Sequence, residues 1–384
     1  MKTESVYCAA PWNHAHLRAD GFFSVCCRAL RGGLSIPAQS IDEYWNGEEM
    51  RKLRLDMLNH RPPDAICRNC VENKTTVNPG RLAYNELSRD EMDDILARTG
   101  EDGSTTFEPV SLDIRTNFCN LKCRICSPGS SSSILTEYKQ LGFPLPRMGP
   151  NAQKEGDIDF SDALLSKLRK ISWAGGEPFM SPVHWKLMES LKRLGNTNLF
   201  VWYNSNFSFP GGTLSKAKDL LASFSNVHMG ASIDAVGEDF EYLRYLASYE
   251  ETTSNLVALK AAVPGVNIAI DYTATSLGLL SLKDVVQFCL ANGIGLKCKV
   301  ANVADWDWLG IGCLRSDVME AALAEAQAAS QGTALEATIL QFTAFAHRKY
   351  QVKVPDLGRC RAMEKSRGAS GYLEARIGHQ LNRG

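Results

Sequence analysis

The sequence lacks the features that would assign it to a secreted, membrane-spanning or charge-driven nucleic-acid-binding class. Its first ten residues hold neither a basic stretch nor a long apolar run, so they do not resemble a secretory signal. No stretch approaches the ~20 consecutive apolar residues of a membrane span. The 42 basic and 43 acidic residues give a net charge of −1, without the basic surplus that binding nucleic acid by bulk charge requires. A local basic face stays compatible with these numbers, but we expect a cytoplasmic protein that contacts neither membrane nor nucleic acid.

Internal repeats and long low-complexity segments are also missing, and the composition is that of a folded protein. Hydrophobic residues make up 44% and charged residues 22% of the 384 residues, which is ordinary globular usage. This length fits one large domain or two to three ordinary ones.

Cysteine, by contrast, is abundant. The chain has twelve cysteines, and eight of them fall in its first third. In a reducing cytosol, clustered cysteines are more often metal ligands or catalytic groups than disulfides. The eight are Cys8, Cys26, Cys27, Cys67, Cys70, Cys119, Cys123 and Cys126, and the other four are Cys289, Cys298, Cys313 and Cys360. We therefore expect a cysteine-dense N-terminal segment followed by a larger scaffold.

Residues 98–106 have the polar, glycine-containing composition of a linker, and they suggest a domain boundary. The boundary gives an N-terminal module over residues 1–107, a scaffold over residues 108–312 and a C-terminal extension over residues 313–384. The tail from Asp317 is rich in alanine and helical in pattern, and it ends in a basic stretch with the look of a mobile segment.

In the scaffold, short apolar runs alternate with helical patterns. Most runs are continuously apolar, as in strands that are buried on both faces. Six strand-helix repeats predict an α/β fold of right-handed βαβ units, a partial (β/α)6 parallel barrel whose ligands bind at the carboxyl ends of the strands. The expected strands are 110–115, 170–173, 199–203, 227–233, 266–274 and 296–300, and the expected helices are 131–141, 161–168, 183–194, 214–223, 253–262 and 282–292.

Three cysteines follow the first expected strand with the spacing C-x3-C-x2-C, namely Cys119, Cys123 and Cys126. Thiolates are soft ligands that suit zinc, copper(I) and iron-sulfur clusters. Three ligands are one fewer than a closed zinc site or a fully ligated 4Fe-4S cluster uses. One iron of such a cluster would stay open for another ligand.

This spacing at the end of a first barrel strand resembles the signature of the radical S-adenosylmethionine (SAM) enzymes. The resemblance implies that the three cysteines hold a 4Fe-4S cluster whose unique iron binds the amino and carboxyl groups of the SAM methionine. It also implies that an electron entering the sulfonium breaks a C–S bond and yields a 5′-deoxyadenosyl radical, which abstracts hydrogen. On the spacing alone, a structural zinc site is the alternative.

A second segment carries the same resemblance. Gly175, Gly176, Glu177 and Pro178 follow the second expected strand and match the family's GGEP motif. In the family the glycines let the backbone approach the methionine moiety of SAM, which glycine's missing side chain permits, and the glutamate meets its ammonium group. Two such motifs at successive strand ends are more specific than either alone, and the resemblance covers residues 110–300.

Weaker matches follow the third and fourth expected strands. Asn206 stands where relatives carry a Thr-Asn-Gly motif, but Phe207 replaces its glycine, so the match is partial. Ser232 and Asp234 resemble the family's Ser-x-Asp segment, which places Ser232 near the SAM carboxylate or ribose. Arg244 follows from the same resemblance as a partner for a carboxylate. For Asp234 and Arg244 a helix cap or a loop salt bridge is an equal alternative.

The N-terminal cysteines form a separate candidate site. An Asp-Gly pair at 20–21 is a hairpin turn signal, and a hairpin there would bring Cys8 and Cys26 together. Cys67 and Cys70 add a C-x2-C pair. Four thiolates around one site would form a closed zinc or iron-sulfur centre.

The pattern of Cys8 and Gly21-x4-Cys26 resembles the auxiliary-cluster region of SPASM and twitch-type radical SAM proteins. That region usually follows the barrel, whereas here it precedes it. The resemblance implies that residues 1–107 form a twitch-like module with one auxiliary 4Fe-4S cluster, which relays an electron or binds substrate. The spacing favours Cys26 over its neighbour Cys27 as the ligand. A zinc ribbon and a disulfide are the alternatives.

The remaining chemistry-bearing residues give weaker hypotheses. Cys313 and Cys360 are candidate hydrogen donors to a substrate radical, and two arginines beside Cys360 would lower the pKa of its thiol. A plain structural role is the alternative for both. Cys289 fits a helix core, and Cys298 could point into the barrel.

Two histidines lie inside the expected N-terminal hairpin, at His14 and His16. The hairpin places them in one of its strands. Without further metal-type pairing in the sequence, we expect them to be surface residues.

Together these patterns predict a radical SAM oxidoreductase or related C–H-activating enzyme. The resemblance implies SAM and two 4Fe-4S clusters as cofactors and an electron donor such as flavodoxin or ferredoxin. Its substrate would be a ribosomal peptide matured in natural-product biosynthesis, or a small metabolite of the aminosugar or nucleoside type. A zinc-stabilised binding protein without SAM turnover is the alternative of another class.

Overall fold

The structure is a computed structural model that describes residues 7–27, 29, 35–71, 89–152, 160–300, 307–351, 364–365, 367 and 371–381. Contacts between residues divide the chain into two units. The first unit comprises Met1–Cys119, Pro128–Tyr203 and Asp219–Val227, and the second comprises Asn120–Ser127, Asn204–Lys218 and His228–Gly384.

Strands and helices alternate through most of the described chain. The strands are β1 (His14–Leu17), β2 (Phe23–Ser24), β3 (Ser111–Thr116), β4 (Lys170–Gly175), β5 (Phe200–Ser205), β6 (Val227–Ala231), β7 (Val266–Ala274) and β8 (Gly295–Val300). The helices are α1 (Ala10–Asn13), α2 (Ile41–Trp45), α3 (Glu48–Leu58), α4 (Asp64–Val71), α5 (Arg89–Ala97), α6 (Ser132–Leu141), α7 (Asp162–Lys167), α8 (Pro182–Arg193), α9 (Thr213–Leu221), α10 (Gly237–Leu243), α11 (Tyr249–Ala262), α12 (Leu282–Asn292), α13 (Ser316–Ser330), α14 (Glu336–Lys349) and α15 (Tyr372–Ile377). Within these described residues, no helix is both long enough and apolar enough to cross a membrane.

In the first unit, the N-terminal hairpin belongs to the same sheet as the scaffold strands. β1 pairs antiparallel with β2 and parallel with β3, and β3–β4 and β4–β5 are also parallel pairs. Gly21 in the hairpin turn has φ +82°, which glycine adopts without strain. A Cβ at this glycine would lie 2.1 Å from the backbone nitrogen of Ala152, so the turn is also closely packed.

In the second unit, β6 lies beside β7, and β7 pairs in parallel with β8. β7 and α12 begin and end at the residues that the sequence predicts. Gly293 ends α12 in the left-handed conformation, and its N–H donates to the carbonyl of Leu290. The prediction of an α/β fold with parallel strands and intervening helices is confirmed.

The segment expected to be a linker is a hydrogen-bonded turn. Gly100 N donates to the carbonyl of Ser104 at 2.8 Å, and Thr99 and Thr105 form an antiparallel bridge. The buried Arg54 of α3 donates from Nη1 to the carbonyl of Gly103 at 3.2 Å. Several residues of this turn are exposed, whereas Gly103 and Thr105 are buried.

The expectation that His14 and His16 lie on the surface is wrong, because both side chains are buried on β1. His14 Nδ1 lies 2.9 Å from Ser111 Oγ on β3, and His16 Nδ1 lies 3.9 Å from Asp113 Oδ2 on the same strand. Burial lowers the pKa of His14 to about 3 and that of His16 to about 4. Both rings are therefore neutral at pH 7.

Candidate cofactor site

The second and third cysteines of the C-x3-C-x2-C motif lie in a turn of the second unit. The N–H of Cys126 donates to the carbonyl of Cys123 at 3.2 Å. Burial raises the pKa of both thiols, that of Cys126 to about 12. Binding to a metal would release these protons, because thiolates are the ligands.

The residues around these two cysteines attach the loop to the C-terminal end of α10. Lys122 N donates to the carbonyl of Tyr245 at 3.1 Å, and Arg124 N donates to that of Leu243 at 2.8 Å. The buried Arg124 side chain donates from Nε to the carbonyl of Tyr242 at 2.8 Å, with its guanidinium 3.8 Å from that ring's centroid. The backbone that presents Cys123 is therefore fixed from both sides. The spacing of the cysteines does not predict this role of Arg124, although the arginine lies inside the motif.

Two residues expected to contact SAM are paired with each other. Arg244 Nη2 lies 2.5 Å from Oδ2 of the fully buried Asp234, whose Oδ1 accepts the N–H of Thr273 at 2.8 Å. The same guanidinium donates from Nη1 to the Sγ of Cys123 at 3.8 Å. The loop salt bridge left open by the sequence is present, and it reaches a motif cysteine.

Cys119 belongs to the first unit and follows the end of β3. Its N–H donates to Ser132 Oγ at 3.2 Å, and its carbonyl accepts from Ser133 Oγ at 2.7 Å. Both serines begin α6, whose N-cap Ser131 accepts the N–H of Ile134 at 3.3 Å. The first turn of this helix therefore fixes the backbone of the first motif cysteine.

The two glycines of the Gly-Gly-Glu-Pro segment bring the ends of β4 and β3 together. Gly176 N donates to the carbonyl of Thr116 at 2.6 Å, and Glu177 N donates to that of Phe118 at 2.7 Å. A Cβ would lie 2.2 Å from the Thr116 oxygen if added at Gly175, and 2.2 Å from the Phe118 oxygen if added at Gly176. Both glycines are therefore required by the backbone that leads into the cysteine motif, whatever they also offer a ligand.

Glu177 is fully buried at this strand end. Its Oε1 accepts the N–H of Phe179 at 3.2 Å and so caps the short 3-10 helix Pro178–Met180. The carboxylate is fixed by this bond at the carboxyl end of a parallel strand, where such sheets bind ligands.

After β5, Phe207 stands where the Thr-Asn-Gly motif has glycine, and its backbone adopts a conformation that favours glycine. Phe207 is buried with φ +54°, in the left-handed region that non-glycine residues rarely adopt. Asn206 Nδ2 donates to Asn120 Oδ1 at 3.1 Å, and Asn206 Oδ1 accepts the N–H of Ser208 at 2.8 Å. Ser232 is half-buried, and its N–H donates to the carbonyl of Ser205 at 2.9 Å.

The four N-terminal cysteines expected to share a site line one cavity of the first unit. Its walls also include Tyr7, Ala10, Pro11, Val25, Ala29, Met57 and Ile66. Burial and the neighbouring thiolates raise the pKa of Cys67 to about 12. Cys27, the alternative to Cys26, is exposed. The hairpin and α4 thus bring Cys8, Cys26, Cys67 and Cys70 together.

The other cysteines lie apart from these groups. Cys289 and Cys313 are fully buried, which fits a structural role. Cys298 on β8 lies opposite Tyr272 on β7, so the two side chains are on the same face of the sheet. Tyr272 is buried on that face. Cys360 lies outside the described residues. In the described ranges, no three or more His, Cys, Asp and Glu side chains are arranged to hold a single metal ion.

Solved structures with similar backbones share little sequence with this chain. SuiB of Streptococcus suis bound to S-adenosylmethionine is 14% identical over 67% of this chain and 57% of its own, with a TM-score of 0.37. Native anSMEcpe with bound AdoMet is 15% identical over 72% of this chain and 68% of its own, with a TM-score of 0.40. The chain thus spans a little more than half of SuiB. No curated protein sequence matches it.

The N-terminal region also matches a known family. The match covers residues 8–71, and the family is SPASM, an iron-sulfur cluster-binding domain. These residues include all four cysteines that line the N-terminal cavity. The expected auxiliary-cluster region is therefore confirmed: residues 8–71 match the SPASM iron-sulfur cluster-binding family.

Proposed function

We propose that the chain is a radical SAM enzyme with one auxiliary 4Fe-4S cluster. The main support is the order of three features. A match to an iron-sulfur cluster-binding domain precedes a C-x3-C-x2-C motif. That motif follows a parallel strand, and the Gly-Gly-Glu-Pro backbone is hydrogen-bonded to the residues that lead into it.

The motif cysteines fit an open-site cluster. Cys119, Cys123 and Cys126 supply soft thiolate ligands, and three of them leave one iron for SAM. When bound, the cluster and SAM supply a 5′-deoxyadenosyl radical that removes hydrogen from a substrate. Hydrogen bonds fix the backbone at all three cysteines. The N–H of Cys119 donates to Ser132. Cys123 and Cys126 are joined by a bond within their turn, and the neighbouring Arg124 N–H donates to Leu243.

The ends of three strands, β4, β5 and β6, supply the residues that we assign to SAM. Gly175, Gly176 and Pro178 shape the backbone beside the motif, and Glu177 presents a buried carboxylate suited to an ammonium group. Asn206 and Ser232 follow β5 and β6 and offer polar groups to the SAM carboxylate or ribose. Asp234 and Arg244 support this site through their ion pair.

The N-terminal cavity fits a closed cluster. Cys8, Cys26, Cys67 and Cys70 supply four thiolates, which leave no open iron. A fully ligated cluster in an apolar shell suits electron relay, so we assign it the role of accepting an electron after hydrogen removal.

For the substrate we propose a ribosomal peptide, modified in natural-product biosynthesis by a cytoplasmic enzyme that receives electrons from a flavodoxin or ferredoxin. Among the similar structures, one is SuiB bound to the precursor peptide SuiA, 12% identical over 92% of this chain and 71% of its own, with a TM-score of 0.38. An aminosugar or nucleoside is the second candidate, since the resemblance to radical SAM enzymes includes both classes.

Metal analysis and electron paramagnetic resonance (EPR) test the cofactor assignment. After anaerobic reconstitution with iron and sulfide, we expect about eight iron atoms per chain and no zinc. SAM should change the EPR spectrum of one reduced cluster only, since only one has an open iron. Bound zinc without iron, or two clusters that both ignore SAM, would favour a metal-stabilised binding protein instead.

Isotope transfer tests the substrate. A peptide encoded by a short gene beside this one, deuterated at candidate carbons, should pass deuterium to 5′-deoxyadenosine. If sugar-modifying genes lie there instead and only a deuterated sugar transfers its label, the peptide assignment is wrong.

A further inference from the structure

Two buried arginines approach the Cys123–Cys126 turn from different parts of the second unit. We propose that Arg244 and Arg367 raise the reduction potential of the cluster held by the C-x3-C-x2-C motif, acting on the cluster and not as ligands of SAM. This inference rests on the proposed function. It assigns the C-terminal segment a role in the chemistry of a motif more than two hundred residues away.

Arg244 is held rigidly beside one motif cysteine. Only 8% of the residue is exposed, and its Nη2 is bound to the fully buried Asp234. Its Nη1 donates to the Sγ of Cys123 at 3.8 Å. The anchoring carboxylate is itself fixed by the N–H of Thr273. The guanidinium therefore bonds to the Asp234 carboxylate through one nitrogen and to the Cys123 sulfur through the other.

Arg367 is the second cation, and it comes from the C-terminal segment. Only 3% of it is exposed. Its Nη1 donates to the carbonyl of Lys122 at 2.7 Å, and its guanidinium lies 5.9 Å from the ring centroid of Tyr245. Lys122 directly precedes Cys123, so this hydrogen bond holds a buried cation against the backbone of the Cys123–Cys126 turn.

The C-terminal segment is fastened so that this cation stays in place. The buried carboxylate of Glu364 accepts the hydroxyl of Tyr242 at 2.7 Å and the N–H groups of Gly371 and Leu373 at 2.7 and 2.9 Å. The ring of Tyr372 stacks on that of Tyr242 at 4.5 Å between centroids. These contacts attach the described residues around Glu364 and Tyr372 to Tyr242 at the end of α10.

Fixed positive charge and hydrogen bonds to sulfur favour the reduced cluster. Reduction adds one electron and one negative charge, and cluster potentials follow net charge, hydrogen bonding to sulfur and exposure. Burial alone would disfavour the more negative state. Arginine stays positively charged in proteins, so both guanidiniums remain cations. The charge of Arg244 is balanced by Asp234, so Arg244 acts mainly through its N–H···S hydrogen bond, whereas Arg367 adds positive charge beside the turn. Both arginines thus ease the electron uptake that must come before SAM cleavage.

The test is the midpoint potential of the SAM-responsive cluster in reconstituted full-length enzyme, measured by EPR at a series of potentials. Arg244→Gln and Arg367→Gln should each reduce the ratio of reduced to oxidised cluster about tenfold at a fixed potential, which is about 59 mV for one electron. Because Arg244→Gln leaves a buried carboxylate unpaired, the double variant Asp234→Asn/Arg244→Gln is measured beside it.

Arg376→Gln is the matched control. It removes a cation from the same segment, but Arg376 binds Asp239, and 55% of its side chain is exposed. Its potential should equal that of the unchanged enzyme.

If the Arg367 variant and the double variant keep both their cluster and its potential, the inference is wrong. If they keep the potential but bind SAM more weakly, the arginines are SAM ligands. If the motif of the unchanged enzyme binds no cluster, the proposed function itself is wrong.

Discussion

The two cysteine sites use the same ligand in opposite surroundings. Around the N-terminal cavity, the described lining residues other than cysteine are apolar apart from Tyr7. Beside the Cys123–Cys126 turn, one guanidinium donates to a cysteine sulfur and another to the neighbouring backbone. Four thiolates in an apolar shell suit a cluster whose ligands never change. Cations beside the Cys123–Cys126 turn suit the proposed cluster, which takes up an electron.

The largest expected effect is the loss of the auxiliary cluster while the SAM-responsive cluster remains. In Cys67→Ala/Cys70→Ala the auxiliary cluster should be lost, because two of its four ligands are gone, and iron should fall from about eight to about four atoms per chain. The EPR change on adding SAM should persist. Iron analysis and EPR of the reconstituted variant measure both.

Cys27→Ala is the control for this variant, since Cys27 is exposed beside a lining cysteine. Its iron content should not change. If Cys27→Ala lost iron while Cys67→Ala/Cys70→Ala kept it, Cys27 would be a ligand in place of the cysteines that line the cavity. That result would contradict the cavity assignment.

The second effect concerns the backbone that supports the open site. Gly176→Ala places a methyl group 2.2 Å from the carbonyl oxygen of Phe118, and overpacking of this kind costs about 2 kcal/mol in free energy of unfolding. Chemical denaturation of the variant measures it. Gly211→Ala is the control, because no atom lies within 4 Å of the added carbon. Equal stability of the two variants would show that the strand end is not held as described.

Much of the scaffold was predictable because its signals are local. The apolar run of β7 and the helix pattern of α12 predict both elements with their observed ends. The cysteine motif and the glycines after β4 are short segments whose spacing alone suggests their chemistry.

Long-range contacts were not predictable. Arg244 reaches Cys123 across 121 positions, and His14 reaches Ser111 across 97. No sequence period records such pairs, so the sequence does not predict that His14 is buried against β3. The composition of the C-terminal tail likewise conceals the burial of Arg367.

The smallest expected effect tests β1, which joins the N-terminal cavity to the scaffold sheet. Burial holds the pKa of His14 near 3, below its usual 6.5. Its contribution to stability is therefore present above pH 6.5 and is lost as the pH falls toward 3. His14→Asn removes the titrating group and keeps an amide that can bond to Ser111.

Between pH 6.5 and pH 5, the unchanged protein should lose about 1.5 kcal/mol more free energy of unfolding than His14→Asn. Denaturation of both proteins at the two pH values measures the difference, in which the other titrating groups cancel. A difference near zero would mean that the ring is accessible to solvent, against its burial on β1.

Formation of 5′-deoxyadenosine tests the central claim most directly. Reconstituted enzyme with SAM and dithionite should release it, and Cys119→Ala/Cys123→Ala/Cys126→Ala should release none while keeping about four iron atoms at the N-terminal site. If that triple variant still forms 5′-deoxyadenosine, or if the unchanged enzyme with full cluster content forms none, the assignment of radical SAM chemistry to this motif is contradicted.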